Sequence, residues 1–277
     1  MNNLRKTLFA GATLVAAGIS GQASALTISG ITLGPGSSGN VSLQDISSES
    51  IVTTAGDTLQ GAGKITALNG GTNFAAAGLE LDFVYTANVA FDNGTTIIFN
   101  TGALTFYVNP VGTFDITTTS PYGTLAALQT ALATSGTDFL DLLTTTVTTI
   151  APYNVGGAPA TGGFFGTGTN LGGTNPNGSG VGYMSVAAGS GTANAVFDTN
   201  SLVFNGTTSY DMLFTSTFSV PSAGTFAPFV QVQDASTFTS TFAAVPEPSI
   251  LALFGIGLAG VGLRKRKLNA VATTTVA

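Results

Sequence analysis

Among side chains able to do chemistry, carboxylates dominate. The 277 residues hold 13 Asp and Glu against 7 Lys and Arg, with no His, Cys or Trp. That removes imidazole bases, thiolate nucleophiles, disulfides and metal sites that need nitrogen or sulfur ligands. Glu80 and Asp82 lie two apart in an alternating run, so both carboxylates leave one strand face with Cα atoms about 6.5 Å apart. Such a pair could serve glycoside hydrolysis. A solvated strand face explains it more simply, and the Trp that lines most sugar clefts is absent. Asp138 and Asp141 flank Phe139-Leu140 and read as acids in a first helical turn, where the helix dipole favours them. Asp92-Asn93-Gly94-Thr95 and Asp198-Thr199-Asn200 offer oxygens at spacings calcium can use. Both are also ordinary turn sequences, and neither fits a twelve-residue calcium loop. Lys64, in Gly61-Ala62-Gly63-Lys64-Ile65-Thr66, reads as a strand-start residue that forms an ion pair. No phosphate-binding glycine motif occurs. No catalytic residue, metal site or cofactor is assigned, and the expected protein is not an enzyme.

Composition sets the surface these groups sit on. Only 7% of residues are charged, against roughly 25% in an average soluble protein. Hydrophobic residues make up 44%, so neutral Thr, Ser, Asn and Gly must face water. The net charge is −6, but its distribution is uneven. Arg5 and Lys6 stand at one end and Arg264, Lys265, Arg266 and Lys267 at the other, leaving Lys64 as the one base between 26 and 245. A nucleic-acid partner would need clustered bases on the central domain, and there are none.

The central residues, 26–242, read as mainly β. Leu79, Leu81, Phe83 and Tyr85 alternate with Glu80, Asp82, Val84 and Thr86, and Met212, Phe214, Ser216, Phe218 and Val220 repeat the period. Asn93-Gly94 and Asn205-Gly206 sit between such runs and predict hairpins with positive φ at both turn positions. Asn69-Gly70-Gly71 and Asn177-Gly178 predict further turns. Leu125, Leu128 and Leu132 follow helical spacing, with Phe139, Leu142 and Leu143 beyond them, so a short helical insert is expected at about 121–144. Residues 156–182 contain 11 Gly in 27 positions and read as a long loop. Phe outnumbers Tyr by 19 to 6, and many Phe fall on the inward side of the alternating runs and are taken as core. The expected architecture is an antiparallel β-sandwich.

The two ends read as targeting segments. Residues 1–25 combine Arg5 and Lys6, an apolar stretch (TLFAGATLVAAGIS) and an A-x-A cleavage site, Ala23-Ser24-Ala25, as a secretory signal does. Near the other end, Pro246-Glu247-Pro248 precedes a charge-free run at 250–263 (ILALFGIGLAGVGL) and then Arg264-Lys265-Arg266-Lys267. Fourteen helical residues span about 21 Å, short of a hydrocarbon core of about 30 Å. Basic stems can snorkel to extend the span, the positive end belongs in the cytoplasm, and glycines suit membrane helices. One C-terminal transmembrane helix at 250–263 is therefore expected, with 268–277 as a cytoplasmic tail.

This order of Val245-Pro246-Glu247-Pro248-Ser249, apolar run and basic cluster closely resembles the PEP-CTERM sorting signal of Gram-negative bacteria. The resemblance covers residues 245–267, within a sorting segment at 243–267. It implies recognition and processing by an exosortase after passage through the export translocon and a transient stay in the inner membrane. The endpoint it implies is the cell surface or extracellular matrix. Gly56-Asp57-Thr58-Leu59-Gln60-Gly61-Ala62-Gly63-Lys64-Ile65-Thr66, then Asn69-Gly70 and Glu80-Leu81-Asp82-Phe83, is loosely similar to PEP-CTERM proteins linked to flocculation, which implies a biofilm or floc role with exopolysaccharide as a partner. The alternatives are a secreted carbohydrate-active hydrolase and a calcium-stabilised carbohydrate-binding module.

Overall fold

The structure is a computed structural model that describes residues 25–35, 39–148, 160–189 and 191–243. The chain divides into two units, Met1–Ala243 and Ala244–Ala277, and everything described belongs to the first. The signal segment before Ala25, Pro246-Glu247-Pro248, the apolar run 250–263, Arg264–Lys267 and the 268–277 tail all lie outside the described residues.

Among the described residues fifteen strands and two helices follow one another. They are β1 (Ala25–Ile28), β2 (Ile31–Pro35), β3 (Gly39–Glu49), β4 (Thr58–Leu68), β5 (Leu79–Asp92), β6 (Thr96–Pro110), α1 (Leu125–Ser135), β7 (Thr137–Thr144) and β8 (Val147–Thr148). After these come β9 (Thr161–Gly162), β10 (Phe164–Thr169), β11 (Asn177–Val186), α2 (Asn194–Phe197), β12 (Leu202–Phe204), β13 (Thr208–Tyr210), β14 (Met212–Ser219) and β15 (Val232–Phe242).

The mainly β expectation holds, but the sandwich does not. The strands close into an antiparallel barrel with eight positions: β11, β14, β15, β3, β4, β5, β6 and a composite eighth. The long β6 makes closure possible. Its first part, Thr96–Phe99, pairs with β10, and its later part, Ala103–Val108, pairs with β7. β11 continues both pairings, meeting β10 along Asn177–Gly182 and β7 along Met184–Val186. β7 and β10 thus share one position at different heights. A sandwich keeps free edges on two sheets, whereas these strands leave none, because closure satisfies every edge. Among the described residues no helix is long and apolar enough to cross a membrane.

The alternating period sorts side chains inward and outward. Leu81, Phe83 and Tyr85 of β5, Leu104 and Phe106 of β6, Leu43 of β3 and Phe238 of β15 are buried in one interior cluster. Phe83, Phe106 and Phe238 meet at 5.2–5.5 Å between ring centres. Glycines make room for these rings. A Cβ on Gly61 would run into Tyr85, one on Gly63 into Phe83, and one on Gly182 into Phe164. Here the Gly-rich reading needs correction: residues 156–182 include β9, β10 and the first part of β11, so much of that stretch is barrel wall rather than loop. Asn177-Gly178 opens β11 instead of making a turn.

On the outside of β4, β5 and β6 lies α1. Thr124 caps it by accepting from the Ala127 N–H at 3.1 Å. Leu125, Leu128 and Leu132 are buried on its inner face against Ala62, Phe114, Ile116, Ala227 and Val230. The helix ends at Ser135, and Phe139, Leu142 and Leu143 belong to β7, so the expected helical insert is shorter than 121–144. Along β14 and β15 the outer face is largely polar: Thr215, Thr217 and Ser219 of β14 and Gln233, Thr237, Thr239 and Thr241 of β15 alternate with the inward residues. A lipid-facing barrel carries the opposite pattern, apolar outside and polar inside.

Of the predicted turns, Asn205-Gly206 joins β12 to β13 with φ of 48° and 72°, and Asn69-Gly70 has φ of 51° and 78°. At Asn93-Gly94 only Gly94 is in the left-handed region. Asn93 closes that turn through its side chain, accepting from the Thr95 and Thr96 N–H groups.

Candidate functional site

Glu80 and Asp82 do share one face of β5, as their spacing requires, but that face is not solvated. α1 and the Phe114–Ile116 segment cover it, leaving Glu80 6% and Asp82 0% exposed. Glu80 Oε1 accepts from the Phe114 N–H at 2.9 Å, and Oε2 lies 3.5 Å from Lys64 Nζ. The Lys64 ammonium also sits 5.9 Å above the Phe114 ring. Asp82 has no donor on either oxygen. Burial, then the neighbouring Glu80 charge, pushes its pKa up to about 8. The pair anchors the helix layer and has no open approach for a sugar.

The other sequence candidates resolve into structural roles. Asp138 and Asp141 lie on β7, not in a helical turn. Asp141 accepts from Gly191 N–H at 3.0 Å and from Asn194 Nδ2 at 3.3 Å, tying down the segment before α2. Asp92 accepts from Gly94 N–H at 2.7 Å, and Asp198 accepts from Asn200 Nδ2 at 3.0 Å, each as a turn acid does. Among the described residues no group of three acids is placed to hold a metal ion. Of the cleavage-site pair, Ala25 opens β1, and Ala23 lies outside the described residues.

The most unusual chemistry lies inside the barrel, on residues the sequence reading passed over. Asp45 and Glu49 of β3 and Asp234 of β15 all point inward, with Asp45 7%, Glu49 9% and Asp234 1% exposed. Tyr85 donates its hydroxyl proton to Glu49 Oε1. Asp45 Oδ1 accepts from both the N–H and hydroxyl of Ser236 at 2.6 Å. The second oxygen of Asp45, both oxygens of Asp234 and the Ser47 hydroxyl are buried without a protein partner. The Glu49 and Asp234 carboxyls are neighbours, and the charge of Glu49 opposes ionisation of Asp234. Burial raises all three acids: Asp45 to about 6, Glu49 to about 7, and Asp234 well above its usual value with help from the Glu49 charge. The same burial, with Glu49 beside it, lifts the Tyr85 phenol.

Next to this acid layer is a cavity of ≈ 80 Å³ lined by Glu49, Tyr85, Phe99, Phe164, Phe214 and Ser216, among others. Gly166 and Gly180 leave its far wall without side chains. The signal for this layer was in the sequence. Val41, Leu43, Asp45, Ser47 and Glu49 keep one parity on β3, as Val232, Asp234, Ser236 and Phe238 do on β15. Acids that share parity with core residues must turn inward.

At the far end of the chain, residues 244–267 match the PEP-CTERM protein-sorting motif. The chain carries a PEP-CTERM sorting signal. The signal implies processing by an exosortase and export toward the cell surface. No curated protein matches the chain. Among solved structures, the crystal structure of Neisserial surface protein A is similar at a TM-score of 0.17 and 10% identity, covering 75% of this chain and 99% of that one. A likeness of that size says nothing about this chain's fold or function.

Proposed function

We propose that this PEP-CTERM protein is a non-enzymatic component of the cell surface or extracellular matrix, where it supports biofilm or floc formation. The observation that carries this reading is the outward face of the barrel. β14 and β15 present Thr, Ser and Gln in place of charge, a neutral hydrogen-bonding surface suited to hydrated polysaccharide and to copies of itself. The route there runs through the export translocon. The apolar run 250–263 then holds the protein in the inner membrane, with the basic cluster on the cytoplasmic side, until an exosortase acts near Pro246-Glu247-Pro248.

Deleting the gene and scoring flocculation tests this. Flocs should be lost and should return in proportion to the amount of protein restored. Restoration with Asp82→Asn should work as well as wild type, because Asp82 is buried beneath α1. A hydrolase that uses Glu80 and Asp82 would fail with that variant, and its wild-type form would act at trace amounts. Flocs that persist without the gene would overturn the matrix role.

A further inference from the structure

Among the described residues the barrel interior holds three carboxyls and no cation. Asp45, Glu49 and Asp234 converge with Tyr85 and Ser236, while the nearest base in sequence, Lys64, pairs with Glu80 beneath the Phe114 segment on the outer face. Acceptors therefore outnumber donors. Both Asp234 oxygens and one Asp45 oxygen, on side chains more than nine-tenths buried, have no protein donor. Leaving a polar group buried and unpaired costs about 1–3 kcal/mol, and more for a charged one. An apolar-walled cavity adjoins this layer, and Glu49 and Tyr85 belong to both. Eight-stranded barrels are of the size that either fills with side chains or holds one small ligand. The inward glycines of β10 and β11 leave this one partly unfilled.

We propose that the barrel is a binding site for a primary ammonium compound with a short, unbranched apolar tail. The ammonium group brings three N–H donors and a positive charge to the Glu49–Asp234 layer. The tail lies along Phe99, Phe164 and Phe214. At ≈ 80 Å³ the cavity is smaller than the roughly 150 Å³ that accommodates benzene, which favours a chain over a ring. The tail also explains why the acids sit beside aromatic walls instead of at the surface. This site is independent of the matrix reading, and its test does not involve flocculation.

The probes are linear alkylammonium ions from propyl to octyl, with n-alkanols of equal length as neutral comparators, added to the full exported chain near neutral pH. Calorimetry and thermal shift give affinity and stabilisation. Alkylammonium ions should bind and raise the melting temperature, and the alkanols should bind at least about tenfold more weakly. Glu49→Gln and Asp234→Asn keep shape but cannot give up a proton to become the carboxylate that an ammonium ion draws out. Each should weaken alkylammonium binding at least about tenfold while the protein stays folded. Gly180→Val, which adds bulk to the cavity wall beside Ser216 of the neighbouring strand, should abolish binding with an unchanged circular dichroism spectrum. Should Gly180→Val fail to fold, Gly180→Ala, whose Cβ would stand 2.9 Å from the Ser216 hydroxyl, makes the same test with a smaller intrusion. No binding by any alkylammonium ion, equal binding by alkanols, or wild-type affinity in Glu49→Gln would each overturn the proposal.

Discussion

At the residue scale, the buried acids make stability depend on pH in an unusual direction. Asp45, Glu49 and Asp82 hold their protons to about 6, 7 and 8, against 3.8, 4.5 and 3.8 when unperturbed. Between those limits the folded chain binds more protons than the unfolded one. Its stability therefore falls as pH rises, by up to about 1.4 kcal/mol per pH unit for each such group. The contribution is complete below about pH 4 and is lost through pH 6 to 8. Asp57 runs the other way, held down by the Thr53 and Thr54 N–H groups, but it lies at the surface and acts only at the acid extreme. Melting temperatures recorded from about pH 4 to about pH 9 should decline with pH. In Asp82→Asn the decline should flatten at its upper end, because the carboxyl that holds its proton to about 8 is gone. A melting temperature that climbs over this range would mean the three acids are paired or wet. Asp211 shows what a satisfied buried acid looks like: it accepts from the N–H groups of Thr199, Asn200 and Val186, and a similar cradle is what Asp234 lacks.

At the scale of elements, α1 is the clearest case of sequence deciding structure. Its Thr cap, its three leucines at i, i+3 and i+7, and Gly136 after its end are all local signals. Leu128 and Leu132 are fully buried against the barrel wall. Replacing either by Ala should cost about 2–5 kcal/mol in denaturant unfolding, and Thr124→Ala about 1 kcal/mol. Losses near zero for both leucines would mean the helix does not pack there. β5 and β6 were legible for similar reasons, from their alternation and the Asn93-Gly94 turn between them. β10 and β11 were not. Their glycines were read as loop formers, the usual meaning of glycine, whereas here they accommodate rings projecting from neighbouring strands, such as Phe164 beside Gly182. That role depends on which strand lies opposite, and a single sequence does not state it. β7 was obscured differently. Phe139 and Leu142 fit a helical period and a bulged strand equally well, and the register shift opposite Phe106 and Tyr107 supplies the bulge.

At the scale of the whole molecule, closure was hidden because it rests on pairings between segments far apart in the chain, β6 with β10 and β7 with β11. Destination was easier to read, because it is encoded by order and charge alone: Pro246-Glu247-Pro248, apolar run, basic cluster. The two parts of that signal do different physical work, so they should fail differently. The fourteen apolar residues are short for a bilayer, so on the proposed route retention would lean on Arg264, Lys265, Arg266 and Lys267, each worth about 1 kcal/mol at an anionic cytoplasmic face. Neutralising all four should let the protein slip into the periplasm with its tail uncut. Changing Pro246-Glu247-Pro248 to three alanines alters no anchoring contribution, so that variant should stay in the inner membrane, lacking only its leader and missing from the surface. Cell fractionation with intact-mass measurement separates the two outcomes. A triple-alanine protein that reaches the surface at wild-type mass and yield would reduce the motif to a spacer between the barrel and its tail.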